Sequence, residues 1–98
     1  MNKLTISYRP LSGVAVNPRN ARTHDKRQLK QIKDSIAAFG FTNPLLVDEA
    51  GVLIAGHGRL SAAKSLGLES VPIIVLAHLS ETQKRALMLA DNKIALNA

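Results

Sequence analysis

The chain contains no cysteine. That absence excludes disulfides, thiolate metal sites and a cysteine nucleophile, and it fits a reducing compartment. Aromatic residues make up only 3%, so a core has to be built from Leu, Ile, Val and Ala. The basic residues have no interleaved aromatics on which single-stranded bases would stack. No hydrophobic run approaches the length needed to cross a bilayer, and the start, Met1 to Ile6, lacks the apolar segment of a signal peptide. A soluble, cytoplasmic protein with no membrane partner is expected. His24, His57 and His78 lack the short spacing of zinc ligands. No Ser/His/Asp set and no carboxylate pair suited to glycoside hydrolysis can be picked out.

What is present is enough for one small domain over residues 1–98, with 46% hydrophobic residues and no room for a second core. The net charge of +6 is unevenly placed. Lys3, Arg9, Arg19, Arg22, Lys26, Arg27 and Lys30 face a single acid, Asp25, in the first 30 residues, and the remainder of the chain is neutral. The whole positive excess lies in the N-terminal third, where it attracts polyanions or forms a solvated basic face.

Leu4 to Tyr8 alternates apolar and polar residues as a half-buried strand does. Arg9 to His24, rich in Pro, Asn and Gly, reads as loop. A helix is predicted from Asp25, at capping-box spacing from Gln28, to Phe39, with Leu29, Ile32, Ile36 and Phe39 on one face and Gly40 ending it. Two short strands, residues 44–48 and 52–55, flank a turn at Asp48–Gly51. A second helix runs from about Arg59 to Leu66, and a third core strand covers residues 71–76, with Pro72 near its start. Ser80, with Gln83 three residues on, caps a last helix. Ala86, Leu87, Met88, Leu89, Ala90, Ile94, Ala95 and Leu96 point almost all round that helix. It therefore requires a partner subunit or a further domain against residues 80–98, and the end at Ala98 without a stop signal suits a fragment. These elements describe an α/β (α+β) domain with a mixed sheet of about four strands and three helices.

The most informative stretch is Gly56-His57-Gly58-Arg59, between the strand that ends at Ala55 and the second helix. A strand turning through two glycines into a helix start offers backbone N–H groups and a positive dipole end to an anion. Arg59 adds a fork for phosphate oxygens. Neither a Walker A loop nor a full dinucleotide fingerprint is present. The alternative is a tight turn followed by a solvated arginine.

The order of elements and their residues together resemble the N-terminal domain of ParB, whose fold is shared with sulfiredoxin and a free-serine kinase family. Asn17-Pro18-Arg19-Asn20-Ala21-Arg22 is similar to the segment before the family's first helix. Thr42-Asn43-Pro44-Leu45-Leu46-Val47 is similar to the box that lines the nucleotide site. Gly56–Arg59 takes the place of the phosphate-contacting Gly-Glu-Arg-Arg box, and Asp91-Asn92 that of the Glu-Asn pair near the triphosphate and its metal. Two departures stand out. His57 and Gly58 replace Glu and Arg, leaving Arg59 as the one cationic fork, and Asp91 is one methylene shorter than Glu. The Gly-His-Gly-Arg form looks more like ParB-type domains of phage and mobile elements, often attached to a DNA methyltransferase. Sulfiredoxin chemistry requires a cysteine that this chain lacks.

The resemblance implies a nucleoside triphosphate ligand, CTP or ATP, with Mg²⁺, in a protein acting on DNA. Gly56, His57, Gly58, Arg59, Arg22, Thr42, Asn43 and Asn92 are then the nucleotide-binding candidates. Asp91 is the candidate metal ligand and catalytic carboxylate. Arg19, Arg22, Lys26, Arg27 and Lys30 are candidates for the DNA backbone, most DNA contact falling to regions outside this chain. Nucleotide would act as a switch for subunit association, giving a homodimer, with slow hydrolysis as reset. The rival readings are a phosphoryl transferase with Asp91 or Glu49 as base, a ParB-like nuclease, and an interaction module that binds no nucleotide.

Overall fold

Asp48 turns the chain back on itself at the hairpin between β2 (Leu45–Val47) and β3 (Leu53–Ala55). Its Oδ1 accepts the backbone N–H groups of both Ala50 and Val52 at 2.9 Å, an Asx-type turn that needs no help from the rest of the fold. Gly51 completes it at φ 83°. In this computed structural model residues 3–18 and 25–97 are described, the side chains as far as residue 91.

The remaining elements are β1 (Ile6–Pro10), a 3₁₀ turn (Leu11–Gly13), α1 (Lys26–Phe39), α2 (His57–Leu66), β4 (Ser70–Val75) and α3 (Glu81–Asn97). The sheet order is β1-β4-β2-β3. β4 runs parallel to β2 and antiparallel to β1, and β2 is antiparallel to β3, so the sheet is mixed as expected. The parallel pair is joined by a crossover that contains α2, which returns over one face of the sheet. On that face Leu45, Val47, Val71 and Ile73 meet Leu53, Leu60, Ala63 and Val14 in the core. A register shift at Leu46/Val47 leaves Ile54 as an extra residue opposite β2. This bulge explains why Leu53, Ile54 and Ala55 are all buried and show no alternation.

α1 packs on α2 rather than on the sheet. No residue of α1 is fully buried, and Phe39, expected on the apolar face, is exposed at the end of the helix. Asp25 caps α1 by accepting the Gln28 N–H at 2.7 Å, as the spacing predicts. Ser80 and Gln83 form the full reciprocal box at the start of α3 (2.8 and 3.2 Å).

Three expectations are corrected. The first strand lies two residues later than the alternation suggested, and Leu4, Ile6 and Tyr8 are exposed, because β1 is an edge strand paired only with β4. Part of the expected loop is structured. Leu11 donates to the Glu69 carbonyl, Val14 joins the core, and Ala15 bridges to β3 by accepting the Leu53 N–H at 2.8 Å. α2 begins at His57, not Arg59, so the Gly-His-Gly-Arg stretch forms the helix start itself.

α3 rests on β3. Lys84 is buried, Leu87, Met88 and Asp91 are half-buried, and Ala86, Leu89 and Ala90 face solvent. Over residues 81–91 this chain covers the helix on one side; the side chains of Ile94, Ala95 and Leu96 lie outside the described residues.

Candidate functional site

Gly56 ends β3 in the left-handed region, at φ 105° and ψ 27°. A Cβ there would lie 2.7 Å from Leu45 Cδ2 and 2.9 Å from Arg59 Nη2. Both the backbone conformation and the space therefore demand glycine. As N-cap residue it brings no side chain to the first N–H groups of α2. These groups carry the positive end of the helix dipole.

Arg59, in the first turn, folds back across Gly56. Its Nη2 donates to the carbonyl of Pro44 at 3.2 Å, while its Nε is buried without a hydrogen-bond partner. Burial holds this guanidinium below the ordinary arginine range, and the Asp91 carboxylate of α3 acts in the opposite sense. A cation partly removed from water, with one neutral acceptor and a spare donor, gains most from an anion brought to it.

The Arg59–Pro44 bond joins two of the sequence candidates, the 42–44 loop and the 56–59 stretch. Thr42 and Asn43 are exposed on that loop, directly before Pro44, and Thr42 N–H donates to the Gly40 carbonyl. His57 and Gly58 are buried, His57 at 6% exposure, so a ligand reaches the His57 ring only after local movement. Arg19 and Arg22, and the side chain of Asn92, lie outside the described residues.

On α1, Lys26, Arg27 and Lys30 are exposed, and Lys30 pairs with Asp34 at 3.0 Å. The first turn of α1 holds no acid, so Lys26 and Arg27 sit at the end of the dipole where cations are disfavoured. Glu49, weighed above as a base, is engaged with Lys84 of α3 at 3.4 Å. Lys84 also meets Asp48 at 3.7 Å and Glu81 at 3.2 Å. The hydrogen bond to Glu81 comes first in holding its ammonium above the usual lysine range; partial desolvation opposes this, and Glu49 adds to it. Sequence reasoning missed this cluster. Its one legible signal was Lys84 three residues after Glu81, at the spacing of a helical ion pair. Among the described residues no group of three or more His, Asp or Glu side chains is disposed to hold a metal ion, and no helix is long and apolar enough to cross a membrane.

A family profile described as the ParB N-terminal domain matches residues 2–93. The chain is 52% identical over 83 residues to the ParB-like nuclease domain-containing protein YnaK of Escherichia coli K12, covering 85% of this chain and 95% of that one. Among solved structures it is similar to the chromosome-partitioning protein ParB of Caulobacter crescentus complexed with CTP-gamma-S, at TM-score 0.77 and 28% identity over 90% of this chain and 52% of the other. The same Caulobacter protein, complexed to the centromeric parS site, gives TM-score 0.71 at 27% identity, over 88% of this chain and 46% of that one. Sulfiredoxin from Arabidopsis thaliana shares the fold, with TM-score 0.70 at 24% identity over 85% of this chain and 97% of the other.

Proposed function

We propose that this chain, which belongs to the ParB N-terminal domain family, binds the phosphates of a nucleoside triphosphate at the N-terminus of α2 and uses that nucleotide as a switch for subunit association. The observation that carries the reading is Arg59: buried enough to be short of water, bonded to the Pro44 carbonyl, with a donor to spare beside an uncapped helix start. An anion there replaces lost solvation with charge-assisted hydrogen bonds. The CTP-gamma-S complex of the Caulobacter relative supports CTP as the ligand, with ATP as the alternative. Thr42 and Asn43, exposed on the loop that Arg59 ties down, would meet the rest of the nucleotide. Asp91 is the carboxylate available to a phosphate-bound Mg²⁺, which commonly takes one or two protein carboxylates and keeps several waters. When bound, the ion would neutralise phosphate charge. The solvent-facing side of α3, with Leu89 exposed, offers the second subunit an apolar surface.

DNA is the second partner, supported by the parS complex of the same relative. In this chain Lys26, Arg27 and Lys30 supply backbone contacts without sequence readout. Such a role belongs to the cytoplasm, and the Gly-His-Gly-Arg form of the box favours a phage or mobile-element protein, often linked to a methyltransferase. Titration of the chain with CTP and ATP, with and without Mg²⁺, tests the reading, followed by phosphate release and nicking of supercoiled DNA. Saturable nucleotide binding with little or slow phosphate release supports a switch. No binding of either nucleotide, or DNA nicking without nucleotide, would replace it with the interaction-module or nuclease reading.

A further inference from the structure

α3 has a rotation problem. Residues 86–90, Ala-Leu-Met-Leu-Ala, are apolar on every side of the helix, so hydrophobic burial alone discriminates poorly between the faces it can turn to β3. Turning the helix by one residue would exchange half-buried Leu87 for exposed Leu89, two identical side chains, and leave Met88 at the seam. Yet the structure shows one register, with Lys84, Leu87, Met88 and Asp91 on a single stripe at i, i+3, i+4 and i+7 towards the protein.

Lys84 is the polar feature on that stripe that touches the sheet. It is 9% exposed, and its Nζ lies 3.4 Å from Glu49 Oε1 and 3.7 Å from Asp48 Oδ2. Glu81 belongs to α3 and turns with it. Asp48 and Glu49 belong to the β2–β3 hairpin and so provide a fixed reference. Asp48 is itself immobilised, because its other oxygen holds the Ala50 and Val52 N–H groups of the turn. An ion pair whose ammonium and Asp48 carboxylate are largely shielded from water, at the edge of an apolar interface, is the kind of contact that selects one register among several of similar burial.

We propose that Lys84 sets the rotational register of α3 on the hairpin and is thereby a positioning residue for Asp91, seven residues on along the same stripe. Arg85, which lines the same small cavity beside Asp48 and Glu81, names the competing state. A turn of one residue would hand the carboxylates to Arg85, bring Leu89 in for Leu87 and rotate Asp91 away from its place on the stripe. The link from register to nucleotide rests on the function proposed above; the register itself does not.

Because the chain has no cysteine, single thiols report the register directly. Leu87→Cys and Leu89→Cys are each made in the full chain, with Lys84 intact and with Lys84→Met, and their rates with a thiol reagent are compared. With Lys84 intact, the thiol at 89 should react on the order of tenfold faster than the thiol at 87. With Lys84→Met the ratio should fall to about one or invert, at unchanged helix content by circular dichroism. Glu49→Gln combined with Glu81→Gln keeps Lys84 and removes two of its partners. It should lower the ratio too, and it carries the test if Lys84→Met does not fold. An unchanged ratio in a folded variant overturns the proposal. So does a rise of both thiols to the rate of an unfolded control, since Lys84 would then merely attach α3. CTP titration of the same variants is read separately: if the parent chain binds no CTP, the nucleotide reading fails while the thiol ratio still decides the register.

Discussion

Two partly buried cations, Arg59 and Lys84, are treated in opposite ways by the same small fold. Lys84 has three carboxylates within 4 Å and is held above the usual lysine range by Glu81 and Glu49. Arg59 has a neutral carbonyl, a buried Nε without a hydrogen-bond partner, and a charged form that burial disfavours. A fold optimised for stability alone would satisfy both, since an under-partnered buried charge costs free energy. The contrast marks Lys84 as a fastening and Arg59 as a group kept short of partners, which under the function proposed above a ligand would supply.

The largest effect should come from removing the turn that presents Arg59. Gly56→Ala forces a Cβ into the left-handed region and against both Leu45 and Arg59. A loss of about 2–4 kcal/mol in unfolding free energy is expected, read from the urea midpoint. A stability like that of the parent chain would mean that the turn relaxes freely and that the site is not pre-organised.

Arg59→Ala separates the two cations most sharply. Nucleotide binding should weaken by about 1.5–3 kcal/mol, roughly tenfold to 150-fold, the worth of a charge-assisted hydrogen bond. Stability should change by less than about 1 kcal/mol, since one neutral hydrogen bond is lost while a partly desolvated charge is removed. Equal nucleotide affinity in a folded variant would take the α2 N-terminus out of the mechanism.

A pH series addresses the other side of the comparison. The Lys84 pKa is raised in the folded chain. The stabilisation it brings is therefore complete below the ordinary lysine range and is lost as pH rises through the raised folded value. Urea midpoints for the parent should fall between pH 9 and the far alkaline range by more than those of Lys84→Met. Parallel curves would show that the cluster contributes nothing through ionisation.

The fold was largely legible because its signals are local: Asp48 and Gly51 for the hairpin, Ser80 and Gln83 for the cap of α3, the apolar runs for β2 to β4. Four motifs in order carried the family. What failed was tertiary. Ile6 and Tyr8 alternate as a half-buried strand does, but nothing in their sequence says that β1 lies at an edge with its apolar face open. The position of α2's first residue depended on Gly56 adopting a left-handed N-cap, and Arg59 alone looked like the better start. At the site, the residue types could be read from the motif, but not the fold-back of Arg59 onto the Pro44 carbonyl, a hydrogen bond across fifteen residues of chain. Lys84 was invisible for the same reason, since its sheet-side partners lie 35 and 36 positions away.

The smallest expected effect concerns a third set of cations, exposed where Arg59 and Lys84 are buried. Lys26 and Arg27 open α1 with no acid in its first turn, so each opposes the helix dipole by about 0.3–1 kcal/mol at low salt. If they serve only as a solvated face, replacing both by Ala should leave DNA binding untouched. If they bind phosphates, the same double substitution should lower non-specific duplex affinity and flatten its salt dependence. The slope of log K against log salt should fall by roughly 2, near 0.9 for each phosphate no longer neutralised. The helix itself should be unharmed or slightly more stable, because two unfavourable charges leave its N-terminus and alanine is the better helix former. Opposite signs for stability and DNA affinity are the signature of residues retained for binding. An unchanged salt slope, measured on duplexes of equal length and different sequence, would return Lys26 and Arg27 to the bland role of a solvated face.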